Sequence, residues 1–270
     1  RIKLMSSVFA IDLCAYAIMN NHYHIVVRIN AERVDEWTDE EVAQRWMQIF
    51  SGPLLMHRYL ANTALNSAEL KYVADLFKTW RERLADLSWL MRCINEPIAR
   101  MANSEDHCSG SFWEGRFKSQ ALLDERALLA CMAYVDLNPI RASMATTPEQ
   151  SDYTSVQERI ENPNSDYLTP FSEQGNDTLP FNLKDYLELV DWGGREIKRN
   201  KRGYIPASAP PILVRLQMNA SPVLKYLAKD DLPSLGALGP VSRLRVFAAS
   251  VGRKFIKGHV LGDRLCPEKA

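Results

Sequence analysis

The sequence has no long apolar run. Its longest candidate, residues 11–29, is interrupted by Asp12, by the pair Asn20 and Asn21, and by two histidines. A membrane-spanning helix needs about 20 predominantly apolar residues, so we expect no membrane partner. A secretory signal is also lacking at the start, and the sequence favours a cytoplasmic protein.

Paired cysteines are lacking as well. The five cysteines are odd in number and scattered, and no two of them form a CxxC pair. Zinc sites built on cysteine pairs and disulfide frameworks both require regular spacing. The sequence therefore predicts free cysteines in a reducing compartment.

Net charge is also lacking, because 33 Lys and Arg balance 33 Asp and Glu. The distribution is uneven, however. Residues 195–270 hold fifteen basic and five acidic side chains, a net charge of +10, so residues 1–194 carry −10. A basic C-terminal region can bind phosphate backbones by displacing counterions, although a solvated basic face without a partner explains the charge equally well.

Residues 14–29 are rich in Ala, Ile, Val and Tyr, with Asn20-Asn21 in the middle. This pattern predicts two strands joined by a tight turn. His22 and His24 would then share one face of the second strand, about 7 Å apart, where both imidazoles could reach one metal ion. A surface pair or a packed pair of histidines is the more common meaning of this spacing.

Residues 124–137 repeat apolar side chains at helical spacing after a capping Asp124, and Pro139 follows. Tyr134 and Asn138 are four residues apart and would share a helix face. A tyrosine hydroxyl is a usable nucleophile, and an asparagine carbonyl oxygen suits Mg²⁺ or Mn²⁺. A core tyrosine followed by a helix-ending asparagine is the simpler alternative.

A third stretch, residues 110–119, alternates aromatic and basic residues in the order GSFWEGRFKS. We predict a strand over residues 112–122, with Arg116 and Lys118 on one side. Basic side chains contact phosphates, and aromatic side chains such as Trp113 stack on unpaired bases. An amphipathic strand with its polar side in water would show the same pattern.

The segments MNNHYHIVV, GSFWEGRFKS and AYVDLNPIRASM occur in this order over roughly residues 11–145. Together they closely resemble the motifs of the REP-associated tyrosine transposases, a branch of the single-tyrosine HUH transposases. The resemblance implies an α+β, ferredoxin-like antiparallel sheet with packed helices, the HUH nuclease core. It also implies that the family's first strand precedes residue 1. Two positions depart from the family pattern: Tyr23 stands for an aliphatic residue, and Asp136 for a frequent histidine.

The resemblance also implies roles for individual residues. Tyr134 matches the nucleophile. The metal ligands are matched by His22, His24 and Asn138, and the DNA-binding positions by Trp113, Arg116, Lys118 and Arg141. The implied cofactor is a divalent ion, Mg²⁺ or Mn²⁺. The implied reaction nicks and rejoins single-stranded or hairpin DNA through a 5′-phosphotyrosine.

A domain boundary is predicted near residue 150. Residues 1–150 are predicted to form the catalytic domain, and residues 151–270 a basic, mainly helical C-terminal region with a proline-containing linker over residues 203–211. The expected setting is a bacterial nucleoid, and the oligomeric state, monomer or homodimer, stays open. Two alternatives also remain: a catalytically inactive nucleic-acid-binding protein with the same fold, and an unrelated helical interaction protein.

Overall fold

The structure is a computed structural model that describes residues 1–172, 177–197 and 236–256. The chain forms two compact units. The first comprises Arg1–Leu13 and Val27–Phe117, and the second comprises Cys14–Val26 and Lys118–Ala270. Residue 150, the predicted boundary, lies inside the second unit. The predicted linker and most of the basic C-terminal region lie outside the described residues, so their helical content stays a prediction.

Strands are short and helices dominate both units, as the element bounds show. The order along the chain is α1 (Ile2–Val8), β1 (Ile11–Ile18), β2 (Tyr23–Ile29), α2 (Arg33–Glu36), α3 (Asp39–Met47), α4 (Leu54–Leu60), α5 (Ser67–Leu84), α6 (Leu87–Glu105), β3 (Ala121–Leu122), α7 (Glu125–Asp136), α8 (Asn138–Arg141), α9 (Ser155–Glu161), α10 (Leu183–Ile197), β4 (Ala237–Leu238) and α11 (Val241–Ser250). A 3₁₀ turn, Pro148–Gln150, precedes α9. The described chain is thus α+β.

The predicted hairpin is confirmed. Strands β1 and β2 pair in a two-stranded sheet, and the Met19 N–H donates to the His22 carbonyl over 2.8 Å to close the turn. Two strands joined by so short a turn run antiparallel. In the rest of the described chain, β3 pairs with β4 in a second, parallel two-stranded sheet.

The strand predicted over residues 112–122 is wrong for most of its length. Residues 112–116 form bends, and extended pairing begins only at Ala121, where β4 supplies the partner. Gly110 has φ +129°, a conformation that side chains disfavour, and Gly115 adds further freedom. Alternation of residue types cannot make a strand where the backbone has no neighbour to pair with.

Apolar residues at helical spacing after Thr38-Asp39-Glu40-Glu41 predict one helix over residues 36–59, with Thr38 as its cap. The structure has two helices there, α3 and α4, and α2 ends before them at Glu36. Thr38 starts α3 through a capping box: the Glu41 N–H donates to Thr38 Oγ1 over 3.2 Å, and the Thr38 N–H donates to Glu41 Oε2 over 2.7 Å. Gly52, with φ +67°, and Pro53 then separate α3 from α4. The expected cap is confirmed, and the expected continuity is wrong.

The sequence predicts a mostly helical stretch over residues 68–101, with a kink or boundary at Pro97. The structure has two helices there, α5 and α6. The break falls at Ala85, because Asp86 caps α6 by accepting from the Trp89 N–H over 2.8 Å. Pro97 lies inside α6 and is not a helix boundary. The helix continues to Glu105, so it includes the first residues of the polar segment 103–111, which the sequence predicts to be a loop. Around these helices, the Trp46 and Trp80 rings stack with centroids 5.3 Å apart.

Helix α7 is the centre of the second unit's core. Asp124 caps it as predicted, accepting from the Ala127 N–H over 2.8 Å. The helix is buried on almost every side, as expected for a helix at the middle of a core. It lies among apolar residues of β1 and α10, which include Cys14, Ala15, Ala17, Tyr186, Leu189 and Val190. Residues on α7 are therefore held in fixed positions.

A buried carboxylate anchors the end of α7. Asp136 is 0% exposed and accepts from the Ser155 hydroxyl over 2.5 Å, from the Val156 N–H over 3.1 Å and from the Tyr186 hydroxyl. Burial raises the pKa of Asp136 to about 6, while these hydrogen bonds and the nearby Arg159 guanidinium oppose the rise. The carboxylate ties α7 to α9 and α10.

This raised pKa predicts a pH dependence of stability. Because the folded-state pKa of about 6 exceeds the ordinary value of 3.8, the folded chain binds more protons than the unfolded chain between these values. Asp136 should therefore lower the free energy of unfolding by about 2 kcal/mol as pH rises from 4 to 7. Denaturant titrations of wild type and Asp136→Asn across this pH range measure the effect. The free energy of unfolding of wild type should fall relative to that of Asp136→Asn as pH rises. Parallel pH profiles of the two proteins would contradict the prediction.

Within the described residues, none of the helices combines the length and apolar character that crossing a bilayer requires.

Candidate active site

The two predicted histidines lie side by side. His24 is in β2, and His22 lies one residue before the start of that strand. The two ring centroids are 5.0 Å apart, and the ring planes meet at 84°. His22 is exposed, and its Nδ1 is 2.7 Å from Asn21 Oδ1. In the tautomer that donates from Nδ1 to this amide oxygen, Nε2 has the lone pair that a metal ion needs.

His24 is held in its neutral form. Burial is the largest of three causes that lower the pKa of His24, and with electrostatic interactions from His22 and Arg141 it brings that pKa to about 4. A neutral imidazole is the form that coordinates metals, so His24 has the correct protonation state at neutral pH.

Tyr134 lies next to His24, although the two residues are 110 positions apart in the chain. Their ring centroids are separated by 6.3 Å, with an interplanar angle of 86°. Tyr134 projects from α7 and is 1% exposed. On its ring lies the guanidinium of Arg141, whose Cζ is 4.4 Å from the ring centroid. Both histidines, the tyrosine and the arginine are thus joined by successive ring contacts within the second unit.

Asn138 is at the start of α8 and is 7% exposed. Its Nδ2 donates to the carbonyl oxygens of Tyr134, over 3.2 Å, and Val135, over 3.4 Å. The side chain therefore satisfies carbonyl groups at the end of α7, which a helix leaves unpaired. This arrangement leaves Oδ1 as the atom of Asn138 that could face a cation.

The imidazoles of His22 and His24 are suitable ligands for a divalent metal ion. Two adjacent imidazoles and one amide oxygen would form a mixed nitrogen and oxygen set. Across the described ranges, no group of three or more His, Cys, Asp or Glu side chains could hold a metal ion. Asn138 is the third protein donor that the resemblance implies for a site at His22 and His24.

The predicted DNA-binding residues fall in different parts of the chain. Trp113 and Arg116 belong to the first unit, where the Trp113 indole N–H donates to the Asn95 carbonyl over 3.0 Å. Lys118 and Arg141 belong to the second unit. Arg116 and Lys118 are both exposed. Of these four side chains, Arg141 is the one that the structure brings to Tyr134.

Sequence reasoning missed the part that Asp136 plays. The position is singled out above only as a departure from the family pattern, whereas the structure makes its carboxylate a buried anchor two residues beyond Tyr134. A signal was present in the sequence, because an acidic residue between Val135 and Leu137 in an apolar helix must find hydrogen-bond donors.

The chain matches no protein-family model, no curated protein and no solved structure. The resemblance to the REP-associated tyrosine transposases therefore stands on the three motifs themselves.

Proposed function

We propose that this protein is a metal-dependent single-tyrosine DNA transposase that nicks and rejoins single-stranded or hairpin DNA through a 5′-phosphotyrosine. One observation carries the proposal: the Tyr134 ring lies 6.3 Å from that of His24, which itself contacts His22. The motifs that contain these residues are far apart in the sequence. If the resemblance of the motifs were due to chance, there would be no reason for their residues to lie side by side in the fold.

The chemistry follows from the residues. The Tyr134 oxygen attacks the scissile phosphorus as its hydroxyl proton is lost, the bond from phosphorus to the 3′-oxygen breaks, and that oxygen takes up a proton. The 5′-phosphate stays on Tyr134 until a 3′-hydroxyl attacks it and reverses these steps. A divalent ion bound by His22, His24 and Asn138 would neutralise charge that develops on the phosphate.

The proposal extends to the fold. The hairpin β1–β2 carries the histidines and α7 carries the tyrosine, and we propose that these are the corresponding elements of a ferredoxin-like HUH core. The α+β character and the packing of α7 against β1 residues support this assignment.

A second candidate is a catalytically inactive nucleic-acid-binding protein with the same fold. Two observations favour it. Tyr134 is 1% exposed, so a phosphate could reach its hydroxyl only after neighbouring side chains move. In addition, the Asn138 amide nitrogen is bound to two carbonyl groups at the end of α7, which restricts how the side chain could turn toward a metal.

Covalent capture of DNA tests the proposal. Wild type and Tyr134→Phe are incubated with labelled single-stranded hairpin DNA taken from repeats flanking the gene, with Mn²⁺ or Mg²⁺ and with a chelator. Tyr153→Phe is the matched control, because Tyr153 is 73% exposed in the same unit. We expect a denaturant-resistant adduct with wild type and Tyr153→Phe, and none with Tyr134→Phe or with the chelator.

The other outcomes discriminate between the alternatives. DNA binding without an adduct in any variant would replace the transposase with the inactive binding protein. Neither binding nor an adduct would leave the unrelated interaction protein. An adduct that persists in Tyr134→Phe would place the nucleophile elsewhere.

A further inference from the structure

Arg141 has a guanidinium whose hydrogen-bonding capacity is unused. Its Nη1 and Nη2 atoms are buried, and among the described residues neither has a hydrogen-bond partner. Burying a charged donor without an acceptor is unfavourable, and such groups are rare in folded proteins. An unpaired buried guanidinium therefore indicates that an acceptor arrives from outside the chain.

The position of this guanidinium is fixed relative to Tyr134. Its Cζ lies 4.4 Å from the centroid of the Tyr134 ring. Arg141 ends α8, the Arg141 N–H donates to the Leu137 carbonyl over 3.0 Å, and the preceding Pro139 and Ile140 are buried. A cation in contact with an aromatic face is stabilised, but this contact uses no N–H donor. Within the residues that the structure describes, the two Nη atoms thus lack an acceptor next to the Tyr134 ring, and they are buried as that ring is, so a phosphate reaches both residues through the same movement of neighbouring side chains.

A structural arginine in the same unit shows the contrast. Arg159 is also buried and lies over an aromatic ring, that of Phe171, with its Cζ 4.5 Å from the centroid. Its Nη2 donates to the Cys14 carbonyl over 2.8 Å, so the side chain links α9 to β1. In the described part of the chain, the Nε of Arg159 has no partner, but its Nη2 is paired, whereas both Nη atoms of Arg141 lack an acceptor despite the same kind of ring contact.

We infer that Arg141 is a catalytic residue that receives the scissile phosphate, its two Nη atoms donating to the non-bridging oxygens while the Tyr134 oxygen attacks the phosphorus. This inference rests on the proposed function. A guanidinium matches two phosphate oxygens with paired N–H donors, which a lysine ammonium cannot do. As the bond from Tyr134 to phosphorus forms and the bond to the 3′-oxygen breaks, charge grows on those two oxygens, and the donors stabilise it.

The competing explanation is that Arg141 only supports the Tyr134 ring. The two roles respond differently to a change in the phosphate. If Arg141 binds the non-bridging oxygens, its replacement matters only while both oxygens are present. If Arg141 only holds the ring in place, its replacement slows the reaction whatever groups the phosphorus carries.

Single-turnover rates of adduct formation test this difference. Wild type, Arg141→Gln and Arg141→Lys react with a hairpin carrying a normal scissile phosphate and with one carrying a methylphosphonate there. Arg126→Gln is the control, because Arg126 is in the same unit and pairs with Asp124 over 3.3 Å. On the normal phosphate we expect Arg141→Gln to be slower by about 100-fold. Arg141→Lys should recover only part of this loss, and Arg126→Gln should react like wild type.

On the methylphosphonate, wild type and Arg141→Gln should react at similar rates. An equal loss on both substrates would overturn the inference in favour of ring support. Unchanged rates of adduct formation in Arg141→Gln would also overturn the inference. In that case the proposed function would still stand if Tyr134→Phe formed no adduct.

A second measurement is independent of turnover. In ¹⁵N-labelled protein, the side-chain Nε–H resonance that disappears in Arg141→Lys is followed as inorganic phosphate is added at constant ionic strength, with chloride as the control. A saturable shift with phosphate supports the anion site, even if wild type forms no adduct and the proposed function fails. The absence of such a shift, together with the absence of an adduct, would overturn the inference.

Discussion

His24→Ala is expected to abolish metal-dependent adduct formation, with a loss in single-turnover rate of about 100-fold or more. His24 is the histidine in contact with both partners: its ring lies 5.0 Å from that of His22 and 6.3 Å from that of Tyr134. Its removal would leave a single imidazole and an amide oxygen, too few protein donors to hold a divalent ion firmly.

Two measurements check this prediction. Titration calorimetry with Mn²⁺ should show binding to wild type and a greatly weakened response in His24→Ala. The adduct assay at fixed Mn²⁺ should show the corresponding loss in rate. His107→Asn is the control, because His107 is exposed and its φ of 51° is one that asparagine tolerates. Unchanged Mn²⁺ affinity in His24→Ala would remove the histidine pair from the metal site.

The elements that were predicted correctly depend on local signals. Asn20-Asn21 between two apolar runs specifies the hairpin, and Asp124 before an apolar helical pattern specifies the start of α7. Thr38 with Glu41 likewise specifies the start of α3. In each case the residues that decide the structure are within four positions of one another, so a single sequence contains the whole cause.

The failures share a non-local cause. Residues 112–120 alternate as a strand would, but pairing starts only at Ala121, whose partner Ala237 is more than a hundred positions away. Helical spacing across residues 36–59 and 68–101 likewise did not reveal the breaks at Gly52 and Ala85. Periodicity reports which residue types can share a face, whereas the location of a break depends on caps and packing partners.

The candidate site shows the same division. The motifs pointed to His22, His24, Tyr134 and Asn138, and the structure brings the first three together. The burial of Tyr134 and the unpaired state of Arg141 could not be predicted, because they depend on which side chains surround α7 and α8 in the fold. The metal, the DNA and the roles of these residues stay predictions that the experiments above decide.

Asp136→Ala is expected to lower the free energy of unfolding by about 3 kcal/mol at pH 7, more than Tyr186→Phe or Asp152→Ala. The substitution leaves the Ser155 hydroxyl, the Val156 N–H and the Tyr186 hydroxyl without their acceptor inside a 0% exposed site. Each unpaired buried donor is unfavourable by about 1–3 kcal/mol, and relaxation around the missing carboxylate recovers part of the sum. Denaturant titration of wild type and variant measures the difference.

Two comparison variants locate the effect. Tyr186→Phe removes one of the three hydrogen bonds and should lose about 1 kcal/mol, whereas Asp152→Ala, at an exposed position of the same unit, should change stability by less than about 0.5 kcal/mol. If Asp136→Ala were no less stable than Tyr186→Phe, the carboxylate could not be the anchor of α7. Because Tyr134 is only two residues before Asp136 on that helix, we also expect a slower adduct rate in Asp136→Ala under conditions where the variant stays folded. The position of the nucleophile would then depend on a buried network that never touches the DNA.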